Sequence, residues 1–297
     1  MFRLSDSADE GAVSYAPGPP FPEGARWRVL PAPGDRLPGT FDQDVYVELL
    51  RRYYESGLPG DGTVTFTLHA FLRAMGRRVD GRTYEQLRGA LTRLERTVLE
   101  SFGAYYVAPQ LPSKRAAEQA GNHTPLGEDP NEPGTRGRFV DERLTVLTAV
   151  SIERRRSSDR DQLALFPSLA SDEPGEARVT LAPSIRGNVT AGYATTLSAG
   201  QYFALPSPTA RRLYRLLAAV EFAPPGAAES LGSVAGTRAW DVALEALAEQ
   251  LPLSQRYPSH LMRVLEPAHD MLRGAGIIRD AAIRQQRREW VVHYELS

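Results

Sequence analysis

"GRTYEQLRGALTRLERTVLESFGAYYVA", Gly81 to Ala108, decides how this chain is read. Its first half carries Tyr84, Leu87, Leu91, Leu94 and Val98 at spacings of three and four, the pattern of a helix with one buried face. Its second half, "FGAYYVA", is aromatic and reads as a strand. At about 100° per residue, the helix face opposite the apolar stripe holds Arg82, Gln86, Gly89, Arg93 and Arg96. Arg and Gln have the donor geometry to read guanine and adenine edges in a major groove. A glycine among them would let backbone approach a ligand closely.

Upstream, "TFDQDVYVELLRRYYESG" predicts a helix that starts at Thr40/Asp42 and stops at Gly57. "GTVTFT" predicts a short strand, "TLHAFLRAMG" a second helix closed by Gly76, and "RRVDG" a turn. The order helix–strand–helix–turn–helix–strand is that of a winged helix-turn-helix module. Its wing is expected in the hairpin after the third helix. That hairpin has a long tip, 109–137, rich in Pro, Gly, Glu and Asn, and an alternating return strand, "RFVDERLTVLTAVSIER". "RRRSSDRDQLALFPSLASDEPGEA" reads as a further hairpin tip, in which Asp159 and Asp161 offset Arg154 to Arg156. "RVTLAP" and "QYFAL" read as additional strands.

The order then recurs. "PSPTARRLYRLLAAVEF" is a helix, "WDVALEALAEQL" a second one capped by Asp241, and "SHLMRVLEPAHDMLRGAG" a third, with Pro258 at its start and Pro267 expected to kink it. Ser259 and Arg263 face outward near its start, and Arg256 precedes it; Glu266 and Asp270 confine any DNA contact to the first two turns. "IIRDAAI" and "EWVVHYEL" make a terminal hairpin. Arg284, Arg287 and Arg288 stand at its tip, suited to phosphate or minor-groove contact. The expected fold is α+β: two tandem winged helix-turn-helix domains related by internal duplication, at 39–190 and 191–297, behind a flexible arm at 1–38 rich in Pro, Gly and acid.

Net charge is −1 over 297 residues, so bulk charge does not argue for nucleic acid; the case rests on local clusters. Lys114 is the sole lysine, and the remaining basic residues are arginines, planar forks that pair with phosphate or guanine. The absence of cysteine excludes disulfides, thiolate metal sites and a Cys nucleophile. The N-terminus has no apolar h-region and no stretch is long enough to span a bilayer, so a cytoplasmic, nucleoid- or plasmid-associated protein is expected. His69, His123, His260, His269 and His293 do not pair at helical spacing, and neither a GxxxxGK[ST] nor a GxSxG motif occurs. No metal, no cofactor and no catalysis are expected. Asp42 and Asp44 are read as complements to a helix macrodipole.

"LPGTFDQDVYVELLRRYYESG", "LRGALTRLERTVLES" and "YFALPSPTARRLYRLLAAV" resemble the plasmid replication initiator proteins, the RepA-like group with two winged-helix domains. The resemblance runs from about Leu37 to the C-terminus. It implies a protein that binds repeated double-stranded sites, iterons, at a plasmid origin, with its two modules in successive major grooves. It further implies opening of an AT-rich segment, recruitment of the host initiator and helicase, and a homodimer formed through the N-terminal domain that represses its own promoter. The DNA-reading positions would then be the outward residues of 82–96 and 256–263, with wing residues 284–288. Two other readings use the same residues: a winged-helix transcriptional repressor, and a protein-interaction scaffold.

Overall fold

The computed structural model describes residues 2, 4, 11–16, 23–107, 138–153, 176–192, 194–221, 239–251, 253, 255 and 257–297. Within them, Thr40–Glu55 forms α1, Thr63–Thr67 β3, Leu68–Ala74 α2 and Gly81–Arg96 α3, as the apolar periodicity requires. Local chemistry sets the boundaries. Thr67 caps α2 by accepting the Ala70 N–H at 3.2 Å. Asp80 caps α3: its carboxylate accepts the Thr83 N–H at 2.9 Å, and its own N–H donates to Thr83 Oγ1 at 3.1 Å, a reciprocal pair that satisfies two helix-start donors. Gly76, at φ 65, makes the left-handed turn between the two helices.

After α3 come β4 (Val98–Val107), β5 (Arg138–Leu144), β6 (Leu147–Ile152), β7 (Glu176–Leu181) and α4 (Pro183–Thr190). One sheet has the order β3-β7-β6, antiparallel throughout. A four-stranded sheet has the order β1-β2-β4-β5, where β1 is Val13–Tyr15 and β2 is Arg26–Leu30. This departs from the sequence reading in two ways. The hairpin that shares a sheet with β3 is β6–β7, not β4–β5. The expected single return strand also divides at Thr145–Val146, where the Val146 N–H donates to the Leu94 carbonyl at 3.3 Å. Leu144 and Val146 keep the alternation up to that point, but Val146 and Leu147 are adjacent and both buried, so the pattern slips by one residue where the chain changes sheet. In addition, segments assigned to a flexible arm are strands, and Ala25, Val29 and Leu37 are buried. The 109–137 tip and the Arg154–Arg156 turn lie outside the described residues.

The second half has α5 (Ala199–Ala204), α6 (Pro208–Glu221), β8 (Ala239–Ala243), α7 (Leu244–Gln250), α8 (Pro258–Gly274), β9 (Ile278–Gln286) and β10 (Glu289–Leu296). "QYFAL", read as a strand, lies mostly in α5. Ser198 accepts the Gln201 N–H there, and a helix-start cap outweighs the strand preference of two aromatics. Asp241, read as a helix cap, sits in β8, where it pairs with His293 Nδ1 at 2.7 Å. The third sheet has the order β8-β10-β9. Each half therefore presents a helix, a strand, two helices and an antiparallel hairpin, with the first strand beside the last. The overall class is mixed α/β: among the described residues, eight helices and three sheets.

Two apolar cores result. One gathers α1–α3, β3, β6 and β7 around Leu49, Phe71, Leu91 and Leu147. The other gathers α5–α8 and β8–β10 around Tyr202, Leu213, Leu265 and Tyr294. Val47 of α1 belongs to the second core, so α1 is shared between the halves.

Candidate nucleic-acid interface

Burying Leu87, Ala90, Leu91 and Leu94 rotates α3 so that Arg82, Gln86 and Arg96 are exposed. These three outward positions stand as the sequence placed them. Arg93 does not. Its side chain is only 14% exposed, and it grips Asp42, which is fully buried, through Nη2–Oδ1 at 2.8 Å and Nε–Oδ2 at 3.2 Å. A guanidinium held this way on a buried carboxylate holds α3 to α1 and is withdrawn from solvent. Gly89 takes a different meaning as a result. A Cβ there would meet Arg93 Nη1 at 3.3 Å, so the glycine clears the path of that side chain toward Asp42. The helical rule placed Arg93 on the outer face correctly by angle. Its long stem lets the charge reach around the helix, and periodicity carries no information about that.

Exposed arginines absent from the sequence-level set also appear. Arg73 on α2 and Arg78 in the α2–α3 turn are exposed, the Arg78 side chain at 87%. Arg78 and Arg82 flank the capping Asp80 at the start of α3, and Arg78 Nε lies 3.3 Å from the Asp80 carboxylate. Arg88 is turned to Glu85 instead. The signal that could have found Arg78 was its position: it lies in the turn that presents the third helix, next to the capping Asp80.

In the second half, Ser259 and Arg263 are exposed near the start of α8, as expected, and Glu266 and Asp270 follow on the same side. Arg256 lies outside the described residues. α8 continues through Pro267 to Gly274. Tyr257, 70% exposed, meets His260 edge-on at 5.8 Å; this aromatic pair at the helix start was not singled out from sequence. β9 and β10 close in a two-residue tip, Arg287–Arg288, with Gln286 opposite Glu289. Arg284, Arg287 and Arg288 are all exposed. Arg287 has φ 57, a left-handed conformation that costs a non-glycine residue about 1 kcal/mol. Asn or Gly would fit the turn more comfortably, so the guanidinium is held at the tip against a local backbone penalty.

Among the described residues, no group of three or more metal-ligating side chains converges, and no helix is long and apolar enough to cross a membrane.

Residues 1–104 match the family model Replication initiator protein A. The resemblance drawn from "LPGTFDQDVYVELLRRYYESG" and "LRGALTRLERTVLES" is thereby borne out, and both stretches lie within the matched residues. Two crystal structures of domains 2 and 3 of RctB share the fold. One aligns with a TM-score of 0.54 at 10% identity, covering 98% of this chain and 93% of that one. The other aligns with a TM-score of 0.52 at 9% identity, covering 100% and 94%. At this identity the likeness is one of fold. No curated protein sequence matches the chain. The family match over residues 1–104 is to replication initiators, and the RctB likeness adds the fold.

Proposed function

We propose that the chain is a sequence-specific double-stranded DNA-binding replication initiator, built of two winged helix-turn-helix units. The observation that carries this reading is the recurrence of one element order, each time with an exposed polar face on the third helix, in a chain whose first 104 residues match an initiator family. The first unit reads bases through Arg82 and Gln86, with Arg73, Arg78 and Arg96 on the flanking phosphates. The second engages through Ser259 and Arg263 at the start of α8 and through the β9–β10 wing, Arg284, Arg287 and Arg288. Arg93 and Gly89 are left out of the DNA-contacting set because Arg93 is turned to Asp42.

The sites are repeated segments of a plasmid or secondary replicon origin, and binding promotes opening of the duplex. A homodimer through the N-terminal unit, and the host initiator and helicase as partners, belong to the same proposal. Footprinting of the purified chain on DNA flanking its own gene, at two salt concentrations, tests it. Regularly spaced protected repeats are expected. About six phosphate contacts would give log affinity a slope of about −5 against log salt. A single protected operator would favour a repressor. Absence of protection, or a uniform weak coating, would remove the proposal.

A further inference from the structure

The seam between the two cores is polar at its centre. Asp44 of α1 is 2% exposed, and its carboxylate accepts three hydrogen bonds from three separate elements. Arg77, in the α2–α3 turn, donates Nη2 to Oδ2 at 2.6 Å. Arg211 of α6 donates Nη1 to the same oxygen at 2.6 Å. Tyr202 of α5 donates its hydroxyl to Oδ1 at 2.9 Å. The Tyr202 hydroxyl in turn accepts from Gln43 Nε2 at 2.9 Å, and Gln43 Oε1 accepts from Arg212 Nη1 at 3.2 Å. Arg211 is 8% exposed and ties its Nε to the Leu205 carbonyl at 2.7 Å, which fixes the angle at which it meets Asp44.

Apolar contact alone does not hold such an angle. Phe203 packs against both cores and Val47 of α1 belongs to the second, but the hydrophobic attraction between them is non-directional. Charge-assisted hydrogen bonds to one carboxylate fix direction as well as distance. A buried ion cluster contributes little net stability compared with an apolar replacement, so its structural consequence is geometric. Arg77 is also one residue from Arg78 and five from Arg82, so the node anchors the turn that presents α3.

We propose that the Asp44–Arg77–Arg211–Tyr202 node fixes the angle between the two DNA-reading units and thereby sets the spacing of half-sites that the chain accepts. Asp44, Arg211 and Tyr202 are positioning residues that do not touch DNA. The proposal rests on the DNA-binding reading above, but its first test does not.

The chain has no cysteine, so Thr92→Cys and Glu266→Cys, at exposed positions of α3 and α8 outside the proposed contact set, allow paired spin labels. The distance distribution between them is narrow in the otherwise native chain and broadens in Asp44→Asn and in Arg211→Met. Tyr202→Phe, which deletes one hydroxyl, gives a smaller broadening and serves if the charge variants fail to fold. An unchanged distribution in folded variants overturns the proposal whether or not DNA is bound.

The second test inserts two base pairs between the protected half-sites, which rotates them by about 70° and separates them by about 7 Å. The native chain loses the avidity of its second unit, about 10²- to 10⁴-fold. The node variants bind the native site more weakly but lose about tenfold or less on the insertion, because a loosened seam follows the displaced half-site. Equal discrimination by native and variant chains overturns the proposal. Failure of the native chain to bind its own flanking DNA would instead strike the functional reading, and the label distances would still decide the node.

Discussion

Replacing Arg93 with alanine separates a structural arginine from a DNA-reading one. The substitution leaves Asp42, fully buried, with the Gly39 N–H at 2.6 Å and Arg36 Nη1 at 3.8 Å as its remaining close partners. Removing one member of a buried ion pair strands the other charge and costs about 3–5 kcal/mol. Arg36 can swing closer, which places the expected loss at the lower end, about 3 kcal/mol. At a urea m-value of about 3 kcal/mol/M, the unfolding midpoint of the first core falls by about 1 M. The assay is urea denaturation followed by far-UV circular dichroism, run beside Arg82→Ala and a double-mutant cycle with Asp42→Asn. Arg82 is exposed, so its replacement shifts stability by less than about 0.5 kcal/mol but lowers DNA affinity by about 1–3 kcal/mol and relaxes specificity at the base it reads. Arg93→Ala, assayed where it is still folded, keeps both its affinity and its salt slope. The reasoning is refuted if Arg93→Ala weakens DNA binding as Arg82→Ala does while leaving the urea midpoint in place.

Gly89→Ala brings a Cβ to 3.3 Å from a guanidinium held on Asp42, a crowding that offsets the gain of about 1 kcal/mol in helix propensity, so calorimetry should find stability within about 1 kcal/mol of the native chain, with unchanged DNA affinity. A large loss of affinity would restore Gly89 as a point of close DNA approach. Arg287→Gly relieves a left-handed arginine, raising stability by about 1 kcal/mol while lowering DNA affinity at moderate salt; a gain in both would deny the wing its role. His269, 3% exposed and bonded to the Tyr294 hydroxyl at 2.9 Å, is held down to about 4, first by burial and then by Arg273. The unfolded chain therefore binds this proton at higher pH than the folded one, and stability falls as pH drops from about 6.5 towards 4, by about 3 kcal/mol in all. His269→Gln should flatten that part of the stability–pH curve, and an unchanged curve would show that His269 is not its source.

The sequence by itself determined the local order of the fold. Spacings of three and four among Leu87, Leu91 and Leu94 fix which side of α3 is buried, since a helix that must bury an apolar stripe has one orientation open to it. Asp80 and Thr83 mark its start, because unsatisfied N–H groups there need a nearby acceptor. The same local rules exposed Arg82, Gln86, Ser259, Arg263 and the Arg284–Arg288 tip, whose positions depend on short-range geometry. Tertiary structure decided what depends on partners distant in the chain. Strand pairing is such a case: β3 lies beside β7, more than a hundred residues away, and nothing in an alternating pattern says which hairpin a strand will join. The destination of a long charged side chain is another. Arg93 shares its helical face with Gln86, but four rotatable bonds carry its charge to Asp42 of another helix. Asp44 shows the limit most sharply. In the sequence it is an acid at a helix start, as a macrodipole favours. Only the meeting of α1 with Arg77, Tyr202 and Arg211 makes it the buried centre of the seam, because the energy of a charge is set by what surrounds it in space.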